Sequence, residues 1–177
     1  MMNAEQLLTF KLFSDLSPTH LDAVAEQCQL VEFLDKDVIF KHGEAAISIY
    51  GVLEGEVALS LVFEDKVLKT DIDYEESLQK RVEVFEKPIV VEVVHSGEIF
   101  GWSSLVSPHI STATATCRGP VKLMAISGEA MRKLFTQDAV LGFSVMNRLS
   151  ELISQRLRNR TDKLIETWGL SFGTDQL

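Results

Sequence analysis

Cysteine is scarce. The 177 residues hold only Cys28 and Cys117, with no Cys-x-x-Cys pairing and no Cys/His cluster beside either, so iron–sulfur, zinc and dithiol redox chemistry find no support and two buried thiols are expected. The four histidines, His20, His42, His95 and His109, are as scattered. His42 with Glu44 and His95 with Glu98 form isolated pairs, short of the ligand set a metal-dependent enzyme needs. No nucleophile and base stand at a suggestive spacing either, and the chain reads as a non-enzyme.

Long apolar runs are missing as well. Although 46% of the residues are hydrophobic, no stretch approaches the ~18 needed to cross a bilayer, so a soluble protein with no membrane partner is expected. Met1-Met2-Asn3-Ala4-Glu5 places no basic region before an apolar one, which leaves no visible secretion signal and makes the cytoplasm the default location. Positive charge is in the minority, 17 Lys and Arg against 26 Asp and Glu, for a net charge of −9. Nucleic-acid binding is built on neutralised phosphates, so this balance argues against direct DNA binding. Late basic residues (Arg148, Arg156, Arg158, Arg160, Lys163) are interleaved with Glu151, Asp162 and Glu166, the pattern of a solvated helix face.

What is present is a change of period. Residues 1–28 carry helical spacing: Leu7, Leu8, Phe10, Leu12 and Phe13 over Ala4 to Leu16, then Ser17-Pro18 as a cap and first helical residue before Leu21, Val24, Ala25 and Cys28. From 29 to 126 the period becomes two, in short strands punctuated by Asp35-Lys36-Asp37, Glu54-Gly55-Glu56 and Gly119-Pro120, which predicts an antiparallel jelly roll and a mainly β fold with flanking helices. Glu64 to Lys87 is less regular, packed with Asp71, Asp73, Glu75 and Glu76 around Tyr74, and reads as a solvated acidic loop or a longer hairpin. Residues 127–168 supply a short helix capped by Ser127 and a long one from Ala139 to Trp168, and 169–177 form a tail.

Within the β region, Gly97 to Cys117 stands apart. Two glycines four residues apart, Gly97 and Gly101, let the backbone approach a ligand closely, and a helical turn after Gly101 would aim the N–H groups of Trp102, Ser103 and Ser104 toward an anion. The stretch leaves as the alternating Thr112-Ala113-Thr114-Ala115-Thr116.

Three motifs follow in order: Phe40-Lys41-His42-Gly43-Glu44, Leu53-Glu54-Gly55-Glu56-Val57, and this glycine-bearing stretch, with a long helix behind. The arrangement resembles the cyclic-nucleotide-binding domain of the catabolite activator and fumarate–nitrate regulator family, over roughly Leu12 to Trp168. The resemblance implies that Gly97–Ala113 is the phosphate-binding cassette, with Gly97, Glu98, Ile99, Gly101, Trp102, Ser103, Ser104, His109, Ser111, Thr112 and Ala113 as candidate ligand-binding positions. Gly97, Glu98 and Gly101 match the family's residues. The glutamate that accepts the ribose hydroxyl is replaced by Trp102, which cannot accept a hydrogen bond, and the arginine that pairs with the cyclic phosphate falls on Ser111, with Ile110 before it. The remaining grip is neutral: backbone N–H groups, the hydroxyls of Ser103, Ser104, Ser111 and Thr112, and the imidazole of His109. No resident cofactor is implied; the candidate ligand is a cyclic nucleotide or another small anion.

On the long helix, Leu141, Val145, Leu149 and Leu152 fill one side of an apolar arc, and Met146, Ile153, Leu157, Leu164 and Trp168 the other. That arc is too wide for one domain alone, so a homodimer through 139–168 is expected, with Val145, Met146, Leu149, Leu152, Ile153, Leu157 and Leu164 at its interface. The functional expectation is a stand-alone sensor module that couples a degenerate cassette to this dimer. The alternatives are a module that has lost its ligand and binds a protein partner, or the sensor part of a transcription regulator; the tail after Trp168 is too short to form that family's helix-turn-helix.

Overall fold

The structure, a computed structural model, describes the backbone of residues 2–71 and 79–172 and the side chains of 2–62 and 87–169. It divides into two units: Cys28–Glu129, and the residues up to Gln27 together with those from Ala130 onward.

The first unit is a six-stranded antiparallel β-roll, built from β1 (Cys28–Phe33), β2 (Val38–Phe40), β3 (Ser48–Asp71), β4 (Gln79–Val94), β5 (Ile99–Phe100) and β6 (Thr114–Ser127). Strand order is β1-β6-β3-β4, with β2 on β6 and β5 on β3. The Thr/Ala alternation of β6 has the expected consequence: Ala115 and Cys117 are buried while Thr114 and Thr116 are only half-buried. Val52, Val57, Leu59, Val94, Phe100, Leu123 and their neighbours close the core, each large apolar side chain contributing about 1.5–3 kcal/mol by burial.

Two turns expected from glycine are bulges in continuous strands. Glu54-Gly55-Glu56 does not separate strands; it interrupts the register of β3 opposite Arg118 to Lys122 of β6, and Gly119-Pro120 lies inside β6. The two bulges face each other so closely that a Cβ on Gly55, whose φ is +86°, would lie 2.5 Å from the carbonyl oxygen of Pro120. Only glycine permits that approach. The irregular acidic segment continues the pairing of β3 with β4 as far as Asp71 opposite Gln79, so a longer hairpin forms; Asp73, Tyr74, Glu75 and Glu76 lie outside the described residues.

The second unit is helical: α1 (Ala4–Leu7), a 3-10 turn (Lys11–Phe13), α2 (Pro18–Ala25), α3 (beginning at Gly128 in the roll and ending at Gln137) and α4 (Ala139–Phe172). The first apolar stretch is broken, not one helix, because Phe10 turns extended at φ −95° and ψ 120°. Helix α2 begins as expected, Ser17 accepting the N–H of His20 with Pro18 in the first position. It closes early, at Ala25, where the N–H of Gln27 tightens onto the carbonyl of Val24, and Cys28 becomes the first residue of β1. The carboxylate of Asp138 caps α4 by accepting the N–H groups of Val140 and Leu141, both at 3.0 Å, and its other oxygen lies 3.0 Å from Nε2 of His20 on α2. Thirty-four residues make α4 about 51 Å long. Arg148 holds it to the N-terminal segment through Asp15 and through Ser14 at 3.2 Å.

Candidate functional site

The cassette is held at both ends by the roll. Gly97 donates its N–H to the carbonyl of Val52 (2.9 Å), and Val52 returns one to the carbonyl of Glu98 (3.0 Å). The Glu98 carboxylate folds back on the N–H of His95 at 2.8 Å, closing a turn before Ile99 and Phe100 enter the sheet as β5, opposite Gly51 and Tyr50. Ile99 and Phe100 are buried. Phe100 packs with Phe40 and Tyr50 into an aromatic trio, ring centres 5.2–6.1 Å apart. Burial also raises the pKa of the Tyr50 hydroxyl.

Gly101 rests on this trio. At φ +77°, a Cβ there would meet the carbonyl oxygen of Ser48 at 2.8 Å and the Tyr50 ring at 3.1 Å, so the left-handed conformation and the space both require glycine. The helical turn after it is a single 3-10 turn, Trp102–Ser104. Ser104, fully buried, donates its N–H (3.1 Å) and its hydroxyl (2.9 Å) to the carbonyl of Gly101. Those two donors are therefore engaged within the turn. Trp102 and Ser103 are half-buried, and the carbonyl of Ser103 lies 3.4 Å from Nδ1 of His109. His109 holds φ at +60° after donating its N–H to the carbonyl of Val106.

The far half of the cassette is stapled to a segment of the Phe40–Glu44 motif and the residues just after it. Gly43 donates to the carbonyl of Ser111, Ser111 to that of Glu44, and Ala46 to that of His109, all at 2.8 Å; the N–H of His42 reaches Oγ1 of Thr114 at 3.0 Å. Ser111 is buried at 4% exposure, Thr112 is exposed and Ala113 half-buried. Sequence reasoning noticed His42-Gly43-Glu44 as a motif but not as the clamp on the cassette, because backbone pairing between segments some 65 residues apart leaves no periodic trace. From Gly97 to Ala113 the only ionisable side chains are Glu98 and His109. Hydroxyl and amide dipoles can orient an anion there, but no fixed positive charge stands within the stretch.

One contact leads out of the cassette. Gly128, the first residue of α3, donates its N–H to the carbonyl of Ile47 at 2.8 Å, and a Cβ on it would lie 2.6 Å from the carbonyl oxygen of Ser104 and 2.7 Å from that residue's Cβ. The helix thus starts against the buried serine of the 3-10 turn.

The expected interface residues of α4 divide. Val145 and Leu149, placed at the interface by their period, are 0% and 1% exposed in the single chain and have no surface left for a second one. Leu152 and Ile153 are half-buried, whereas Met146, Leu157 and Leu164 are exposed. Phe143 was missed: 73% exposed, it falls at 100° per residue on the face of Met146, Ile153, Leu157, Leu164 and Trp168. That face runs for about 38 Å.

Among the described residues no helix is long and apolar enough to cross a membrane, and no group of three or more His, Cys, Asp or Glu is placed to hold a metal. No protein-family model matches the chain, nor does any curated protein. Solved structures do. A protein from Geobacter metallireducens, described as cyclic-nucleotide-binding, superposes with a TM-score of 0.69 at 27% identity, over 89% of this chain and 99% of its own. A cyclic-nucleotide-binding domain from Methylobacillus flagellatus gives 0.69 at 20% identity, over 93% and 82%. The regulatory domain of Toxoplasma gondii protein kinase A, crystallised with cyclic AMP, gives 0.65 at 20%, over 87% of this chain and 49% of that one. The chain has the jelly-roll fold of cyclic-nucleotide-binding domains, with a long C-terminal helix.

Proposed function

We propose that this chain is a sensor module whose cassette takes a small anion, a cyclic nucleotide first among candidates, through neutral donors, and that it acts as a dimer joined along α4. The observation that carries the reading is the backbone of the cassette. Its left-handed Gly101 sits tight on the aromatic trio, the features that let a backbone approach a phosphate are kept, and what the resemblance would add, a carboxylate acceptor at Trp102 and a guanidinium at Ser111, is replaced by an indole and a hydroxyl. An uncharged grip loses less affinity to salt than an arginine-based grip would.

Coupling follows from Gly128. A ligand that shifts the 102–104 turn presses on the first residue of α3, which is continuous through Asp138 with α4; occupancy would then bias the helices, provided the ligand prefers one arrangement. Calorimetric titration with cyclic AMP and cyclic GMP tests the first half of the proposal. Micromolar binding supports it, and absent or millimolar binding with both refutes it. Light scattering tests the second half, with a mass of twice 19.8 kDa expected and a monomer at all concentrations excluding the α4 dimer.

A second reading, a module that has lost its ligand and serves as a dimerising or protein-interaction domain, is favoured by one feature. The hydroxyl of Ser104 and both backbone groups of Ser111 are already satisfied inside the protein. Retained dimerisation without nucleotide binding is its signature.

A further inference from the structure

The facing bulges of β3 and β6 do more than turn the chain. Beside them lies an open cavity of about 300 Å³ lined by the apolar Phe33, Leu34, Pro120 and Val121 and by the charged Glu32, Glu54 and Lys122. Glu32, Lys122 and Glu54 are register partners on three adjacent strands, β1, β6 and β3. The ammonium of Lys122 stands 4.0 Å from one carboxylate and 3.8 Å from the other, beyond hydrogen-bond length, so both carboxylates keep acceptor capacity. Leu34 is 72% exposed. The walls do not need to be assembled, since the contact of Gly55 with Pro120 fixes the bulges.

We propose that this groove docks a segment of another protein that alternates apolar and basic side chains, an apolar one seated on Leu34 and Pro120 and a cation shared by Glu32 and Glu54. Charge decides the occupant. Two carboxylates outnumber one ammonium in the lining of a chain with net charge −9, so a second copy and a nucleic acid both bring charge of the wrong sign, while a basic segment is steered in. The inference does not depend on ligand binding by the cassette.

The test is an amide-resolved NMR titration of the full chain with acetyl-Leu-Arg-Leu-Arg-amide and, in parallel, acetyl-Leu-Glu-Leu-Glu-amide. Expected is a saturable shift of the amides of Phe33, Leu34, Glu54 and Val121 with the basic peptide only, weakening as salt is raised. Replacing either glutamate, Glu32→Gln or Glu54→Gln, should lower affinity about threefold, as for an exposed ion pair, and Lys122→Gln should raise it. Equal binding of the acidic peptide, no saturable shift, or affinity unchanged in both glutamate variants overturns the proposal. So does a shift of these amides on dilution of the protein alone, which would make a second copy the occupant. The salt series uses the unaltered chain, so a variant that failed to fold would not leave the question open.

Discussion

Replacing Gly128 by alanine puts the link between cassette and helices under direct strain. The new Cβ would sit 2.6 Å from the carbonyl oxygen of Ser104, 2.7 Å from its Cβ and 3.0 Å from its carbonyl carbon, against about 3.5–4.0 Å for carbon atoms at rest. Two of the three atoms are backbone and the third is fixed to it, so no flexible side-chain end can swing away. Relief requires the 102–104 turn or the start of α3 to move by a sizeable fraction of an ångström. Such overpacking costs about 1–3 kcal/mol, offset by at most about 1 kcal/mol from alanine's better helix propensity and the smaller entropy of its unfolded chain. A net loss of about 1–2 kcal/mol is expected, which lowers the melting temperature by about 2–8 °C in a chain of this size. Gly169→Ala is the control. Nothing lies within 4 Å of its Cβ in the helical run of α4, so it should stabilise by up to about 1 kcal/mol if its local unfolding is coupled to the whole. Urea unfolding of both variants decides the matter: Gly128→Ala as stable as the parent would show that the turn yields freely and that α3 is not braced on Ser104.

Three further outcomes are expected. Asp15 and Asp138 are held below the ordinary value of 3.8, Asp15 chiefly by hydrogen bonding to Arg148 and Asp138 chiefly by the N–H of Leu141; the unfolded chain therefore takes up protons first, and their stabilisation is full above 3.8 and fades as pH falls through the lowered folded values. An acid-unfolding curve for Asp138→Ala should be shallower below pH about 4 than that of the parent, and an unchanged slope would remove Asp138 from the account. Burial pushes the Cys28 thiol up to about 12 and raises Cys117 as well, so a thiol reagent at neutral pH should label neither in the native protein and both in denaturant; fast native labelling would contradict their burial. Ser111→Arg places a guanidinium at a site 4% exposed, so it should lower the melting temperature in buffer, and saturating cyclic AMP should restore it by supplying the missing counter-charge. Failure of the nucleotide to restore it would mean that Ser111 does not face a phosphate site.

How much of this was readable in the chain depends on whether local pattern or distant pairing made each feature. The roll was legible because Thr114-Ala115-Thr116-Cys117 and Val121 to Ile126 alternate with the sheet's own period. Glycine was legible as punctuation but ambiguous in kind. Gly55 and Gly119 look like turns from either side, and only the pairing of β3 with β6, with Gly55 close against the carbonyl of Pro120, makes them bulges, which in turn creates the groove at Glu54 and Pro120. The same limit applies to α4. Period placed Val145 and Leu149 on an apolar arc with Met146 and Leu157, but it cannot say which edge of the arc the chain covers itself, and the structure buries the first pair while leaving Phe143, Leu157 and Trp168 in solvent.

That division bears on the dimer more strongly than the original arc did. An apolar face wholly needed by its own chain would be buried along its length, whereas the face through Phe143, Leu157, Leu164 and Trp168 stays exposed after the core is complete. Leaving four large side chains in water on one helix forgoes the area term that drives association, and pairing two such faces antiparallel or parallel recovers it. Leu157→Asp together with Leu164→Asp should thus abolish a dimer seen by light scattering without lowering the melting temperature of the monomer, since both side chains are more than half exposed in the single chain. If the double variant still ran as a dimer, the joint would have to lie elsewhere; if it lost its fold, the face would belong to the chain's own core after all.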